Sequence, residues 1–239
     1  MKSLTKLSAL LLLSSLSIFA EIPVEAPVPV KQVFSPAGFD SDDHSEVVVM
    51  GFLPNLCYKA PQTKVNIQGK RINVGVSALK VSRMNTMCAE VIVPFIQVVD
   101  LGMLDKGKYD VVVNENSGQQ KNAKLVVSEA ISDATDPEVF ANVANVERIA
   151  GSNKVVLKGY NPSDCFELRK IEIKDNGVDT YTILPRMKQV REFCPKKEVP
   201  FEYEVEVPKK LQADRVLLHV KIMDGKSVNS LFRNPPLDE

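Results

Sequence analysis

Residues 46–57, EVVVMGFLPNLC, overlay residues 154–165, KVVLKGYNPSDC, without a gap. Val48 falls on Val156, Gly51 on Gly159, Phe52 on Tyr160, Pro54 on Pro162 and Cys57 on Cys165, all at an offset of 108. A second block follows in each copy, CAEVIVPF from Cys88 and CPKKEVPF from Cys194. It aligns Val93, Pro94 and Phe95 with Val199, Pro200 and Phe201 at an offset of 106. Two ordered matches, each carrying a cysteine, describe two tandem copies of one module of about 100 residues. A chain of 239 residues has room for two such units, each able to bury a modest core.

Inside each copy the pattern is that of strands. Short runs rich in β-branched or aromatic residues occur at 47–49, 67–78, 91–101, 109–113 and 123–127, and again at 155–157, 168–173, 180–184, 201–207 and 216–222. Gly, Pro, Asn, Asp and Lys punctuate them. In FEYEVEV, residues 201–207, apolar residues alternate with Glu202, Glu204 and Glu206, which sets the three acids on one face of a half-buried strand. Strands at roughly ten-residue spacing with no long amphipathic helix predict an antiparallel β-sandwich in each copy. One helix is expected, over 136–144, where DPEVFANVA places Pro137 near a first turn.

Each copy owns two cysteines, Cys57 with Cys88 and Cys165 with Cys194. Four cysteines permit three pairings, and the repeat selects one bond inside each module. Metal and redox sites are disfavoured, because there is no C-x-x-C pair and no nearby His to complete a tetrahedral set.

The first twenty residues, MKSLTKLSALLLLSSLSIFA, read as a cleavable secretory signal: Lys2 and Lys6, an apolar run, then small residues to Ala20. No later stretch is apolar enough to span a bilayer as a helix, so the mature chain is expected to have no transmembrane anchor. Residues 21–29 follow with Pro23, Pro27 and Pro29 and are expected to form a stiff, polyproline-like lead. The first module is then assigned to 30–129, a linker to 130–145, the second module to 146–232 and a tail to 233–239. Thirty basic and thirty acidic side chains give no net pull toward nucleic acid, which is not expected as a partner.

With these blocks in view, the chain resembles bacterial secreted modules of the immunoglobulin-like or fibronectin-like β-sandwich type. In those, a G-x-x-P-x-x-C strand end precedes a second Cys, a P-F strand and a G-x-Y-x-V-x-V strand. The first copy has Gly51, Pro54, Cys57, Cys88, Pro94, Phe95, Gly107, Tyr109, Val111 and Val113. The second keeps Gly159, Pro162, Cys165, Cys194, Pro200 and Phe201, but ends with Asp214, Val216, Leu218 and Val220. The resemblance implies architecture and export, and no catalytic residue or cofactor.

Candidate sites are few. His44 sits among Asp40, Asp42, Asp43 and Glu46, a set able to meet a divalent cation through Asp40, Asp42, Asp43 and His44. The spacing lacks the order of a calcium loop, so a solvated turn is expected and no metal is assigned. His219 shares the period-two face of Leu217 and Lys221 and is expected to point outward. Neither His has a nucleophile motif beside it, so no catalytic residue is assigned. Arg186, Lys188, Arg191, Lys196 and Lys197 surround Cys194 and form a possible binding loop for an acidic partner, with mutual neutralisation by Glu202, Glu204 and Glu206 as the alternative. Phe95, Phe201 and Tyr109 are expected in the cores.

These residues predict an exported, periplasmic or secreted, non-catalytic protein for binding, assembly or envelope organisation, with a protein or envelope component as its partner. A secreted hydrolase, a protease inhibitor and a pilus-type periplasmic chaperone are the alternatives.

Overall fold

In R-I-N-V-G-V-S-A-L-K, residues 71–80, Ile72, Val74, Val76 and Ala78 are buried and the residues between them are not. That period of two is what a strand produces when one face meets a core. The same logic builds the whole molecule, whose computed structural model describes residues 23–81, 87–130 and 139–233. The strands are β1 Val24–Pro27, β2 Val30–Phe34, β3 Phe39–Asp40, β4 His44–Leu53, β5 Tyr58–Gln68, β6 Arg71–Lys80, β7 Val93–Met103, β8 Gly107–Val113 and β9 Lys121–Ser128. They continue with β10 Val143–Arg148, β11 Lys154–Asn161, β12 Phe166–Asp175, β13 Thr180–Gln189, β14 Val199–Glu206, β15 Arg215–Lys221 and β16 Ser227–Arg233. The signal-like segment 1–20 and the last six residues of the tail lie outside the described residues.

Four sheets result. In the N-terminal half β2-β4-β7 faces a sheet of order β1-β6-β8-β9-β3, to which β5 adds on β6. In the C-terminal half β10-β11-β14 faces β12-β13-β15-β16. In each half the two sheets enclose a core of their own. The first core draws Val47, Val49 and Val99 from one sheet and Ile72, Val111 and Leu125 from the other; the second sets Val155, Leu157 and Val205 against Ile183, Leu218 and Val220. The pairing is not purely antiparallel: β6 runs parallel to β8 and β3 to β9 in the first half, and β13 runs parallel to β15 in the second.

The repeated sequence blocks become repeated contacts. Gly51 stands opposite Phe95 and Gly159 opposite Phe201. The Phe52 amide donates to the Pro29 carbonyl and the Tyr160 amide to the Asn142 carbonyl, each at 3.2 Å. Both glycines are there because backbone and ring come too close for a side chain. A Cβ on Gly51 would fall 2.6 Å from Phe95 Cζ and one on Gly159 would fall 2.9 Å from Phe201 Cζ, and each would collide with the carbonyl oxygen of Pro29 or Asn142. Gly51→Ala and Gly159→Ala will therefore each destabilise the chain by about 1–3 kcal/mol through overpacking. Urea denaturation checks this, and a loss below about 0.5 kcal/mol at either site would contradict it.

Four expectations need correction. The lead is no free polyproline segment, because β1 pairs antiparallel with Ser77–Lys80 of β6. The linker assignment also runs too far: Phe140 and Ala141 are buried, Phe140 bridges to Arg186, and Val143 begins β10. Of the helix expected over 136–144, the described part, from Val139 onward, is not helical: Phe140 makes an isolated bridge, Val143 opens β10, and Phe140, Ala141 and Val143 are buried. Tertiary pairing has overridden a weak local propensity. Finally, the run read as one strand at 67–78 is a hairpin, turning at Gly69 with φ of 57° between β5 and β6.

Candidate functional site

Asp43 and Lys221 come from opposite halves. Lys221 Nζ lies 2.5 Å from Asp43 Oδ1, and each side chain is only 8% exposed. The other Asp43 oxygen accepts the Asp40 amide at 2.9 Å. Three residues along β4, Glu46 accepts from Ser227 Oγ at 2.5 Å and from Asn229 Nδ2 at 3.4 Å. His219 Nδ1 lies 3.3 Å from Glu46 Oε1 and 3.1 Å from Asn229 Oδ1. Both neighbours are acceptors, so Nδ1 carries a hydrogen. The expectation that His219 points outward is overturned: it is 1% exposed, with the Phe39 ring edge-on at 5.7 Å.

The reason is a seam between the halves. Phe34, Val48 and Met50 point away from the first core and pack on Leu217 and Leu231. Gln32 Nε2 donates to Asp179 at 2.8 Å, Asn176 Nδ2 to the Ser35 carbonyl at 3.1 Å and the Ala37 amide to Thr182 Oγ1 at 3.1 Å. The face of Leu217, His219 and Lys221 alternates as the sequence predicts, but the first half covers it.

Burial raises the affinity of the Glu46 carboxylate for protons, and the His219 ring with the Ser227 and Asn229 bonds outweighs that, so its pKa lies below the ordinary 4.5. A depressed carboxylate contributes stability that is present above its unfolded value and lost as pH falls through its folded one. Acid titration from about pH 5 downward will thus destabilise the wild type. Glu46→Gln will lose stability near neutrality and show a shallower acid dependence; equal acid slopes for the two proteins would refute this role.

The triad order of nucleophile to His to carboxylate is not present here. Ser227 bonds Glu46, and His219 Nε2 is buried with no hydrogen-bond partner among the described residues. In the acidic turn, Asp43 faces Lys221 while His44 turns outward toward Asp100 at 3.6 Å. Among the described residues no group of three or more His, Cys, Asp or Glu is placed to hold a metal. Asp40 feels the charges of Asp42 and Asp43, but the metal candidates form no such group.

The basic loop is only partly a surface feature. Arg186 reaches Glu172 at 3.2 Å and lies over the Phe140 ring, and Arg191 pairs with Asp164 at 2.8 Å. Lys188, Lys196 and Lys197 are exposed. The glutamate face does not neutralise this loop: Glu204 takes Lys154 at 2.5 Å, Glu202 takes Lys158 at 3.5 Å, and Glu206 accepts from Asn153, all across β11 and its approach. Cross-strand neighbours win because register brings them within reach before any loop can arrive. Tyr109 is buried as expected, and Phe95 and Phe201 pack against the two cores while staying partly exposed.

Cys57 bonds Cys88 and Cys165 bonds Cys194. Around them the two halves again match. The Val81 amide donates to the Cys57 carbonyl at 3.0 Å and the Val190 amide to the Cys165 carbonyl at 2.8 Å. The Cys57 amide meets Asn55 Oδ1 and the Cys165 amide meets Ser163 Oγ. The residue before each second cysteine is Met87 in one half and Phe193 in the other. They are the most exposed large apolar side chains among the described residues, at 98% and 85%. Leu56, Val91 and Ile92 are also exposed in the first half, and the exposed cations Lys188, Lys196 and Lys197 flank Phe193 in the sequence of the second. Composition drew attention to the charges; the paired apolar tips are legible in the sequence only once Cys88 and Cys194 are aligned.

A family model described as the ORF11 beta-sandwich domain matches residues 47–123, from within β4 into β9 and including the first disulfide. No curated protein and no solved structure matches the chain. Among the described residues, no helix is long and apolar enough to cross a membrane.

Proposed function

We propose that the chain is an exported, non-catalytic protein of two tandem immunoglobulin-like β-sandwich modules that binds or assembles with a protein or another component of a cell envelope. The observation that carries this reading is the pair Met87 and Phe193. Each stands beside the second cysteine of its disulfide, and each presents an apolar side chain to solvent from a stapled loop. Exposed apolar groups held in place by a rigid framework mark contact surfaces, because burying them on association releases the water they order. The two disulfides and the signal-like first twenty residues support an oxidising compartment outside the cytoplasm. Both cores, the recurring β-parallel pairs and the matched glycine and cysteine contacts support the tandem modules.

Copurification from the native envelope with tagged wild type, Met87→Ser/Ile92→Ser and Phe193→Ser tests the reading. A partner recovered by the wild type and lost with the variants, whose melting temperatures stay unchanged, is expected. Identical recovery by all three refutes the contact surface. Turnover of a generic esterase, glycosidase or peptidase substrate by the purified protein overturns the non-catalytic assignment.

A further inference from the structure

The end of the second sandwich opposite its disulfide holds a cavity of about 240 Å³. Val155, Leu211, Val216, Leu218 and Phe232 line it together with the Tyr181 ring. Its charged lining is all of one sign: Arg148, Lys154, Lys209 and Arg233 contribute, and no aspartate or glutamate does. Two of these cations are engaged, Lys154 with Glu204 at 2.5 Å and Arg148 over the Phe232 ring at 5.8 Å. Lys209 and Arg233 are exposed at the rim and enter no ion pair among the described residues.

Comparison of the halves explains why space is left here. Ile72 pairs with Val111 across the parallel strands of the first half, and Tyr181 pairs with Leu218 in the second. That register puts Val216 where the first half has Tyr109. The buried Tyr109 ring fills its end of the first sandwich, its hydroxyl donating to the Asp105 carbonyl at 2.7 Å and accepting from Lys70 Nζ at 2.8 Å. Val216 lacks a ring. Tyr181, one strand away, accepts the Lys210 and Leu211 amides at 2.9 and 3.0 Å, so its hydroxyl holds the loop after β14.

We infer that this cavity binds a small amphipathic anion, a single apolar chain or ring ending in a carboxylate, phosphate or sulfate. The apolar wall takes the tail out of water, which is the main source of affinity in such sites. Its size exceeds the roughly 150 Å³ that holds benzene and falls below the roughly 300–1,000 Å³ of drug-sized pockets, so the tail is short. The cations stay at the wet rim, where they attract an anionic head without the cost of burying it. A cationic head on the same tail meets the like charges of Lys209 and Arg233 at the rim. The inference is independent of the contact surface proposed above, which lies at the other end of β11.

Titration of the purified chain with octanoate, octylammonium and octanol, followed by calorimetry and by side-chain resonances of Val216, Leu218 and Phe232, tests it. Octanoate is expected to bind saturably and at least about tenfold more tightly than octylammonium. The rim variant Lys209→Glu/Arg233→Glu is expected to weaken octanoate about tenfold or more and to remove the preference. Val216→Phe is expected to abolish binding by filling the space. Equal binding of octanoate and octylammonium, an unchanged affinity in the rim variant, or no saturable octanoate binding would each overturn the inference. The rim residues are exposed, so their variant reports on binding even where Val216→Phe fails to fold.

Discussion

Replacing Lys221 with alanine will lower stability by about 3–5 kcal/mol, the cost of leaving one charge of a buried pair without its partner. Lys221 Nζ is 2.5 Å from Asp43 Oδ1 and lies over the Phe39 and Phe140 rings at 5.5 and 5.2 Å. Without it, the buried Asp43 carboxylate keeps the Asp40 amide and faces the like charge of the Asp40 carboxylate. Lys221→Met/Asp43→Asn removes both charges and will recover most of the loss, because two well-packed neutral groups cost far less than one unpaired ion. The exposed pair Lys64–Glu25, at 2.6 Å, is the control: Lys64→Ala will leave stability nearly unchanged. Urea denaturation reads all three. A Lys221→Ala loss no larger than that of Lys64→Ala would show that the seam between the halves opens to water and does not hold them together.

The repeat, the disulfide pairing and the β-sandwich were legible because each rests on local, additive signals: spacing, cysteine count and period-two alternation. The seam was not read, although its signal is present. EVVVM at 46–50 and VLLHVK at 216–221 are near-continuous apolar runs, and unbroken runs mark strands buried on both faces. Val47 and Val49 enter the first core while Val48 and Met50 face Leu217, so each neighbour along β4 has its own partner layer. Alternation alone assigns His219 to the face opposite the core. Which residues cover that face depends on contacts more than a hundred residues away, which no local pattern encodes.

The site shows the same division. Glu46, Asp43, Ser227 and Asn229 were never candidates for a common cluster with His219, since nothing short-range ties them. The pairing of the lead strand Val24–Pro27 is hidden from the local sequence for a related reason. Alternating prolines suit an extended chain, and only the open edge of β6 decides whether that chain pairs. Conversely, the loss of the aromatic at Val216 was visible in the repeat alignment, and its meaning became physical once Tyr109 was seen to fill the first sandwich.

Removing either disulfide will cost about 3–4 kcal/mol, and removing both will bring the chain close to the whole stability of an ordinary domain. Cys57–Cys88 and Cys165–Cys194 close loops of sequence separation 31 and 29, lengths for which restraint of the unfolded chain is worth that much. The bonds lie in separate halves, so the losses should add within about 0.5 kcal/mol. For a chain of this size each kcal/mol corresponds to about 2–4 °C, so each Cys→Ser pair variant will melt about 6–16 °C lower. The local bonds from Val81 to Cys57 and from Val190 to Cys165 will loosen as well, freeing the tips that carry Met87 and Phe193. Partner capture should therefore fall in the disulfide variants at temperatures where both sandwiches remain folded by far-ultraviolet circular dichroism. A reduced protein melting within about 2 °C of the oxidised one, with full partner capture, would show that the sheets alone fix these loops.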